Sequence, residues 1–399
     1  MKYLKFPKLP VQDIFILLGL VSVWRGLLFV LAFIADRLLP YQPSFPYAFT
    51  LLPQLQVSRM VYSFANFDGV HYLTLAREGY FTTNFTQAFF PVFPYLLRIP
   101  SQWAPSVFNP LVLGLVLSTG AFVGSVFLLF FWVQAKFGKA LAYRSVLALL
   151  LFPSTIFFAS LYTESLFLFL VLGSFVAASK SKWGLASFFA LIAGATRIVG
   201  IFLVPALLIE LWVQQEYGKP SISKLQQFVQ HEKRNLLMIL LSSAGLLIYM
   251  GFLHHFFNDA FYFLHVQSEF GAGRSEQIVL YPQVAYRSLK ILLTAPFDLK
   301  YIAYAQEFIA GTLSLVALFL VRRRVSLGIL FFSFCCFFLP TLSGTFSSML
   351  RYILVCPPIF IAMALAFKKL QRFELVGWIL LGLLAILNAV LFLQGYWVA

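Results

Sequence analysis

Runs of about 20 apolar residues recur along the whole sequence, and this feature restricts the possible folds most strongly. In a bilayer every backbone polar group needs an internal partner, so only helices and closed barrels cross it. Hydrophobic residues make up 61% of the 399 residues and charged residues only 11%, against about 25% in soluble domains. The sequence therefore predicts an all-α polytopic integral membrane protein that forms a single domain over 1–399.

The net charge of +15 would suggest nucleic-acid binding in a soluble protein. Here the basic residues lie mostly in short loops between apolar runs, where they determine the orientation in the membrane. The three cysteines, Cys335, Cys336 and Cys356, all lie in apolar runs, which argues against a disulfide framework or a metal cluster. We expect membrane lipids as partners, and no nucleic acid, metal or other cofactor.

The number of spans depends on the segment 184–213, which Arg197 interrupts. The other candidate spans are 14–35, 109–133, 141–159, 164–178, 236–257, 302–321, 326–342, 352–367 and 375–395. Splitting 184–213 into two short spans places 18 Lys and Arg residues in cytoplasmic loops and 8 outside, whereas one long span gives 12 and 14. Because cytoplasmic loops are rich in Lys and Arg, we predict eleven spans with the N-terminus inside and the C-terminus outside.

Two long segments then face the non-cytoplasmic side, 36–106 and 258–301. The first is the long outer loop of the predicted fold and is expected to carry surface helices over 47–60 and 68–78. The polar cytoplasmic segment 214–235 predicts a short connecting helix.

The boundaries of the helix over 68–78 follow from its end residues. Asp68 is a typical N-cap, and Gly79 is typical of the left-handed residue that ends a helix. After it, four prolines predict an irregular chain as far as the second span, namely Pro91, Pro94, Pro100 and Pro105.

With this topology, the polar candidates come from five separate connections but share the outer side of the membrane. They are Asp68, His71, Arg77, Glu78, Tyr162, Glu164, Arg197, Gln267, Arg274 and Arg351. External loops are polar in any membrane protein, yet this sorting favours a functional outer face.

Asp68 has two interpretations. It is either a structural N-cap or a general base that takes a proton from an attacking hydroxyl. His71 and Tyr72, three and four residues later, share its helical face and would line the same pocket. Arg77 and Glu78 would equally well pair with neighbours at the surface.

The remaining candidates lie at or near apolar runs, where a charge at a helix centre costs about 2.5–3.5 kcal/mol. Arg197 would pair with Glu164 or hold a phosphate, whereas Glu164 would also suit the start of a helix. Arg351 heads another span and would bind a ligand or reach out to water. Gln267 and Arg274 lie in a glycine-containing outer loop that would deform around a ligand.

Several short motifs occur in one order along the chain. They are FDGVHY at 67–72, AREGY at 76–80, FFPVFP at 89–94, FPS at 152–154, YTES at 162–165, ATR at 195–197 and MLRY at 349–352. This combination resembles the GPI mannosyltransferase II (PIG-V-like) family of GT-C glycosyltransferases. The family usually has Trp before the aspartate, where this chain has Phe67.

The resemblance implies a GT-C-type fold and transfer of a hexose, typically mannose, from a polyprenyl-phosphate sugar to a lipid- or glycan-linked acceptor on the non-cytoplasmic face. The lipid-linked donor is a co-substrate, and the anomeric carbon would be inverted. Asp68 would be the general base. The phosphate leaving group needs cationic stabilisation, for which Arg197 is the first candidate and Arg351 or Arg274 would assist. Glu164 would position sugar hydroxyls or hold Arg197.

Two other functions stay open from the sequence. A transporter or flippase of a lipid-linked sugar is favoured by the split segment 184–213, whereas the outward sorting of polar groups argues against it. A non-catalytic scaffold would need neither Asp68 nor Arg197. A multi-pass protein of this kind is expected in the plasma membrane if it is bacterial, which the lack of a visible ER-retrieval signal favours, and in the endoplasmic reticulum if it is eukaryotic.

Overall fold

The computed structural model describes residues 9–82, 85–267 and 278–398, and within these ranges the regular elements are all helical. This confirms the all-α prediction. In chain order the helices are α1 (Val11–Leu38), α2 (Arg59–Tyr62), α3 (Asp68–Glu78), α4 (Val92–Trp103), α5 (Pro110–Phe137), α6 (Lys139–Leu150), α7 (Ile156–Ala159), α8 (Glu164–Ser179), α9 (Trp183–Gly194), α10 (Leu203–Gln214), α11 (Ile222–His231), α12 (Lys233–Leu241), α13 (Ala244–Phe257), α14 (Tyr262–His265), α15 (Tyr281–Thr294), α16 (Leu299–Val321), α17 (Leu327–Thr341), α18 (Met349–Leu354), α19 (Pro357–Lys369) and α20 (Glu374–Leu393).

Long apolar helices identify the chain as a membrane protein. Five helical segments of the described ranges are long and apolar enough to cross a membrane, namely Val11–Leu38, Pro110–Phe137, Lys233–Phe257, Leu299–Val321 and Gln371–Leu393. Shorter apolar helices include α8, in which 13 of 16 residues are buried. A helix that is apolar all round lies inside a bundle, so α8 is central. The number of eleven spans stays a prediction.

The segment 184–213 is split as predicted. Helix α9 ends at Gly194, and the chain continues as a 3-10 turn over Ile198–Phe202 that leads into α10. A Cβ atom at Gly200 would overlap the carbonyl of Ala193, so the two halves fold closely back on each other. Arg197, in an extended conformation, lies at the tip of this hairpin.

The helix over Asp68–Glu78 forms as predicted and ends at Gly79, whose φ is +84°. The prediction of Asp68 as N-cap is wrong by one residue, because Phe67 is the cap and has a φ of +59°. An aromatic residue seldom adopts a positive φ. The Phe67 ring packs against Phe45 and Trp397, with centroid distances of 4.7 and 5.9 Å, so tertiary contacts stabilise this conformation.

Two further expectations for the first outer segment are wrong. The helix over 47–60 does not form, because the chain there makes turns and a 3-10 helix over Pro53–Leu55, with a positive φ at Gln56. The irregular chain expected after Pro91 is instead the helix Val92–Trp103. Pro91 and Pro94 precede or occupy its first turn, where amides have no partner within the helix, so they do not prevent it.

The connecting helix predicted within 214–235 is confirmed as Ile222–His231.

The helices reach different heights at the end of the bundle where α8 begins, which we call the site end. With a rise of 1.5 Å per residue, α1 and α5 (28 residues each) are about 42 Å long and α8 (16 residues) about 24 Å. Ser118 of α5 donates a hydrogen bond to the Tyr162 carbonyl, just before α8. The start of α8 therefore lies about 12 Å below the first residue of α5.

Candidate active site

Four charged side chains from four separate connections meet at the site end. The Arg351 Nη1 lies 2.8 Å from Asp68 Oδ2, and its Nε lies 2.8 Å from Glu164 Oε1. The Arg197 Nη1 lies 2.9 Å from the same Glu164 oxygen. We call Asp68, Glu164, Arg197 and Arg351 the charge network; the sequence analysis had placed all four on one side of the membrane.

The four members differ in how far water reaches them. The Glu164 side chain is fully buried, those of Arg351 and Arg197 are 11% and 13% exposed, and that of Asp68 is 28% exposed. Buried charges persist in proteins only when they are paired, and here two carboxylates balance two guanidinium groups. Asp68 is thus the carboxylate that an incoming molecule can reach, whereas Glu164 is positioned to hold the arginines.

The two arginines keep hydrogen-bonding capacity in reserve. A guanidinium group carries five N–H donors. Within the described ranges, Arg351 uses Nε and Nη1, and Arg197 uses only Nη1, which bonds Glu164 and, at 3.3 Å, Thr163 Oγ1. The Nη2 groups of both arginines and Nε of Arg197 are left over. Two neighbouring guanidinium groups with spare donors are well suited to a phosphate.

Aromatic rings form the walls around both guanidinium groups. Arg351 lies over Tyr162 and Phe157, at 4.8 and 5.1 Å from their centroids. Arg197 lies over Tyr352 at 5.5 Å. Such contacts attract cations and keep water away from them, so the ion pairs lie in a medium of low dielectric constant, where their interactions are strong.

Tyr162 fixes the backbone that carries Asp68. Its hydroxyl accepts a hydrogen bond from the Asp68 amide at 3.1 Å and donates one to the Asn66 carbonyl at 3.0 Å. The Tyr162 hydroxyl therefore takes the place of a capping side chain, while the Asp68 carboxylate pairs with Arg351. Asn66 is buried, and its Nδ2 donates to the Phe392 carbonyl at 2.8 Å, which ties this turn to the end of α20.

His71 and Tyr72 follow on the same helix. The His71 ring stacks on Phe89 with a centroid distance of 5.0 Å, and burial lowers its pKa while the negative charge of Asp68 opposes that effect. The Tyr72 hydroxyl lies 3.4 Å from Thr163 Oγ1, and burial raises the pKa of this phenol. Tyr72 thus joins α3 to the residue before Glu164.

The other predicted residues lie elsewhere. Arg77 and Glu78 are exposed at the end of α3, and their side chains make no ion pair or hydrogen bond with the described residues. Gln267 donates a hydrogen bond to the Phe263 carbonyl at 3.2 Å. Arg274 lies outside the described residues.

Three residues at the site, Arg25, Thr163 and Asn66, were not predicted from the sequence. Arg25 lies in the middle of α1, where its Nη1 donates to the Ala159 carbonyl at 2.6 Å, and its guanidinium group lies 4.7 Å from the Phe64 ring centroid. Arg25 thus braces the segment that leads to Glu164. The rule that singled out Arg197, an ionisable residue inside an apolar span, would also have found Arg25.

Among the residues that the structure describes, no three His, Cys, Asp or Glu side chains are grouped as metal ligands.

A family model and a solved structure are similar to this chain. The model of the mannosyltransferase (PIG-V) family matches residues 16–258. The crystal structure of the Archaeoglobus fulgidus oligosaccharyltransferase in complex with Zn and sulfate aligns with a TM-score of 0.44 and 13% sequence identity, covering 94% of this chain. This chain spans about half, 53%, of that structure's chain. No curated protein matches the sequence. The match over 16–258 spans more than half of the sequence, and the chain therefore belongs to the mannosyltransferase (PIG-V) family of membrane glycosyltransferases.

Proposed function

We propose that the protein is an inverting GT-C-type enzyme that transfers a hexose, in the first instance mannose, from a polyprenyl-phosphate sugar to a hydroxyl of a lipid- or glycan-linked acceptor. The charge network supports this proposal most directly. It holds a solvent-accessible carboxylate, Asp68, 2.8 Å from a guanidinium group of Arg351 that has spare donors for a phosphate. The reaction would take place at the non-cytoplasmic face of the plasma membrane, or of the endoplasmic reticulum in a eukaryote.

In the proposed reaction, Asp68 accepts the proton of the acceptor hydroxyl as that oxygen attacks the anomeric carbon. The bond between the anomeric carbon and the phosphate oxygen breaks on the opposite side of the sugar, so the configuration inverts. The electron pair leaves with the polyprenyl phosphate. Arg197 and Arg351 stabilise the charge that develops on its oxygens, inside a site that is already organised for it.

Glu164 acts as a positioning residue in this scheme. Its Oε1 accepts a hydrogen bond from Arg351 Nε and forms an ion pair with Arg197 Nη1, which holds the two guanidinium groups close together. Its Oε2 is buried and has no hydrogen-bond partner in the structure. Of the two roles considered for Glu164, holding arginines therefore fits better than binding sugar hydroxyls, because its buried position leaves no access for a sugar.

Through its contact with Arg351, Asp68 would change its strength as a base when the polyprenyl-phosphate sugar binds. Before the donor binds, Arg351 neutralises Asp68 and weakens it as a proton acceptor. A donor phosphate would draw the guanidinium group toward itself and share its charge. Asp68 then becomes a stronger base only when the donor is in place, which limits loss of the donor to water.

The test is transfer from radiolabelled polyprenyl-phosphate mannose to membrane acceptors. The intact protein, Asp68→Asn and the control Asp36→Asn would be compared at matched expression. Asp36 ends α1, where it pairs with Arg59 and accepts from Gln394, so the control makes the same chemical change outside the charge network. We expect Asp68→Asn to lower the rate about 10²- to 10⁴-fold, the usual contribution of a general base, and Asp36→Asn to leave it unchanged.

Two outcomes would contradict the proposal. Equal transfer by the intact protein and Asp68→Asn would remove Asp68 from catalysis. Movement of the labelled lipid across vesicle membranes without any new glycoside would favour a flippase, the function that the broken hairpin at Arg197 also fits.

A further inference from the structure

A cavity of about 180 Å³ lies at the end of the bundle opposite the site end. Its walls are the last turns of α5, α8 and α10 and the first residues of α17, with Trp132 and Phe175 as the apolar surfaces. Arg197 and Glu210 are 13 residues apart along one helical segment, so the cavity lies about 20 Å from the charge network. The cavity is thus separate from the proposed transfer site.

The cavity contains a carboxylate that the fold leaves poorly satisfied. Glu210 is 7% exposed, and its Oε1 has no hydrogen-bond partner. That oxygen lies against Gly328 in the first turn of α17, within 2.9 Å of the place a Cβ atom would occupy, and no described donor bonds it. A buried carboxylate oxygen without a partner is costly, so a ligand that donates a hydrogen bond to it would be stabilised here.

A positive charge faces the same space. Lys136, in the last turn of α5, also lines the cavity, and no ion pair within 4.0 Å joins it to Glu210 or to any other described carboxylate. Glu210 and Lys136 would therefore each pair best with a separate charged group of a molecule bound in the cavity. The molecule that fits carries an ammonium group at one end and an anionic group at the other.

We propose that this cavity binds a phosphoethanolamine group, with its ammonium group against Glu210 and its phosphate against Lys136. The group would come from phosphatidylethanolamine or from a soluble phosphoethanolamine compound. Leu327, 55% exposed at the rim, would lie against an acyl chain if the source is a lipid. This inference concerns a second site and does not depend on the proposed transfer reaction.

The primary ammonium group distinguishes phosphatidylethanolamine from phosphatidylcholine. It carries three N–H donors, whereas the trimethylammonium group of phosphatidylcholine has the same charge and no donor. The unpaired Oε1 of Glu210 requires a donor, so phosphatidylcholine should not replace phosphatidylethanolamine.

The experiment uses the full-length protein in phosphatidylglycerol vesicles that contain equal fractions of either phosphatidylethanolamine or phosphatidylcholine. Thermal unfolding and native mass spectrometry of bound lipid would be measured for the intact protein, Glu210→Gln, Lys136→Met and the control Glu216→Gln, which changes an exposed carboxylate just after α10. A further arm adds soluble phosphoethanolamine to phosphatidylglycerol vesicles.

We expect phosphatidylethanolamine, but not phosphatidylcholine, to bind and to raise the Tm of the intact protein and of Glu216→Gln. Each cavity variant should bind at least about tenfold more weakly, because it loses a charge-assisted hydrogen bond. An effect of the soluble compound alone would assign the site to a soluble ligand.

An equal effect of the two lipids, or an undiminished effect in Lys136→Met, would overturn the proposal. Binding of neither phosphoethanolamine source to the intact protein would mean that the cavity holds only water, which also overturns it. Lys136 is at the end of a long helix, so Lys136→Met is expected to fold even if Glu210→Gln does not. Transfer activity does not enter this test, so its outcome is independent of the proposed function.

Discussion

Two arginines at opposite ends of the bundle pair with carboxylates in different ways. At the end opposite the site end, Arg144 donates two hydrogen bonds to one carboxylate. At the site end, Arg351 contacts two carboxylates, those of Asp68 and Glu164. The Arg144 Nε and Nη2 lie 2.7 and 3.1 Å from the two oxygens of Glu374, and Trp378 donates to the same carboxylate. This fork-to-fork pair joins α6 to α20 and occupies both oxygens of Glu374. Its chemistry is complete without a ligand.

The charge network, in contrast, leaves part of its hydrogen-bonding capacity unused. One oxygen of Glu164 receives two arginines while the other has no partner, and guanidinium donors of Arg197 and Arg351 are left over. An ion pair that only joins two helices would not need to leave guanidinium N–H donors unused. The difference supports the proposal that the network receives an anion, whereas the first pair joins two helices.

The largest effect is expected from Glu164→Gln, which removes the shared partner of two buried arginines. Breaking a buried pair by removing one partner costs about 3–5 kcal/mol, so the free energy of unfolding should fall by that amount and transfer should fall with it. Denaturation of the purified protein in detergent measures this change. The control Glu78→Gln, an exposed carboxylate on α3, should have almost no effect; an equal loss in both variants would refute a special role for Glu164.

Next in size is Arg197→Lys, which keeps the positive charge but loses the planar fork. Lysine cannot bond Glu164 and Thr163 and also present donors to a phosphate. We expect kcat/KM for transfer to fall about 10- to 100-fold, the value of one or two charge-assisted hydrogen bonds. Arg77→Lys, which changes an exposed residue at the end of α3, is the matched control. A full rate in Arg197→Lys would show that the guanidinium group is not needed.

A smaller effect concerns pH. Burial lowers the pKa of His71 below its ordinary value of 6.5, so the folded state binds fewer protons than the unfolded state in that range. The free energy of unfolding should therefore be fully retained above pH 6.5 and fall as the pH drops toward the lowered pKa, by at most about 1.4 kcal/mol per pH unit. In the variant His71→Gln, this part of the fall in the free energy of unfolding between pH 7.5 and 5.5 should be absent.

The control for that prediction is His231→Gln, because His231 is an exposed residue of the connecting helix α11. It should show the pH dependence of the intact protein. If His71→Gln also shows it unchanged, burial of His71 does not contribute to the pH dependence.

The smallest effect is expected at the opposite end of the bundle. Arg144 and Glu374 are 27% and 21% exposed, and partly exposed ion pairs contribute about 0–1 kcal/mol. Arg144→Gln should therefore lower the free energy of unfolding by no more than that, with transfer unchanged. A loss of transfer in this variant would contradict the claim that the Arg144–Glu374 pair only stabilises the fold.

The elements that local patterns specify were predicted well. The helix Asp68–Glu78 ends at Gly79 as its sequence predicts, and the break at Arg197 follows from a charge inside an apolar run. The helix Val92–Trp103 was missed because prolines were taken as breakers, although two of them lie where a helix tolerates proline.

The site itself was predicted only in part. The topology placed Asp68, Glu164, Arg197 and Arg351 on one side of the membrane, but no sequence pattern specifies that Arg351 would contact both carboxylates. That contact depends on how four distant connections pack. The positive φ of Phe67 depends likewise on rings contributed by distant residues, so a local rule placed the cap one residue too far along.

The most direct test of the account is the affinity for a polyprenyl phosphate, the proposed leaving group, measured for the intact protein, Arg351→Lys and Arg144→Lys. Both substitutions keep the charge and lose a guanidinium group, one in the charge network and one in the pair at the opposite end. The account predicts about 10- to 100-fold weaker binding for Arg351→Lys and unchanged binding for Arg144→Lys. Equal affinities for all three proteins would contradict the claim that the charge network receives the donor phosphate.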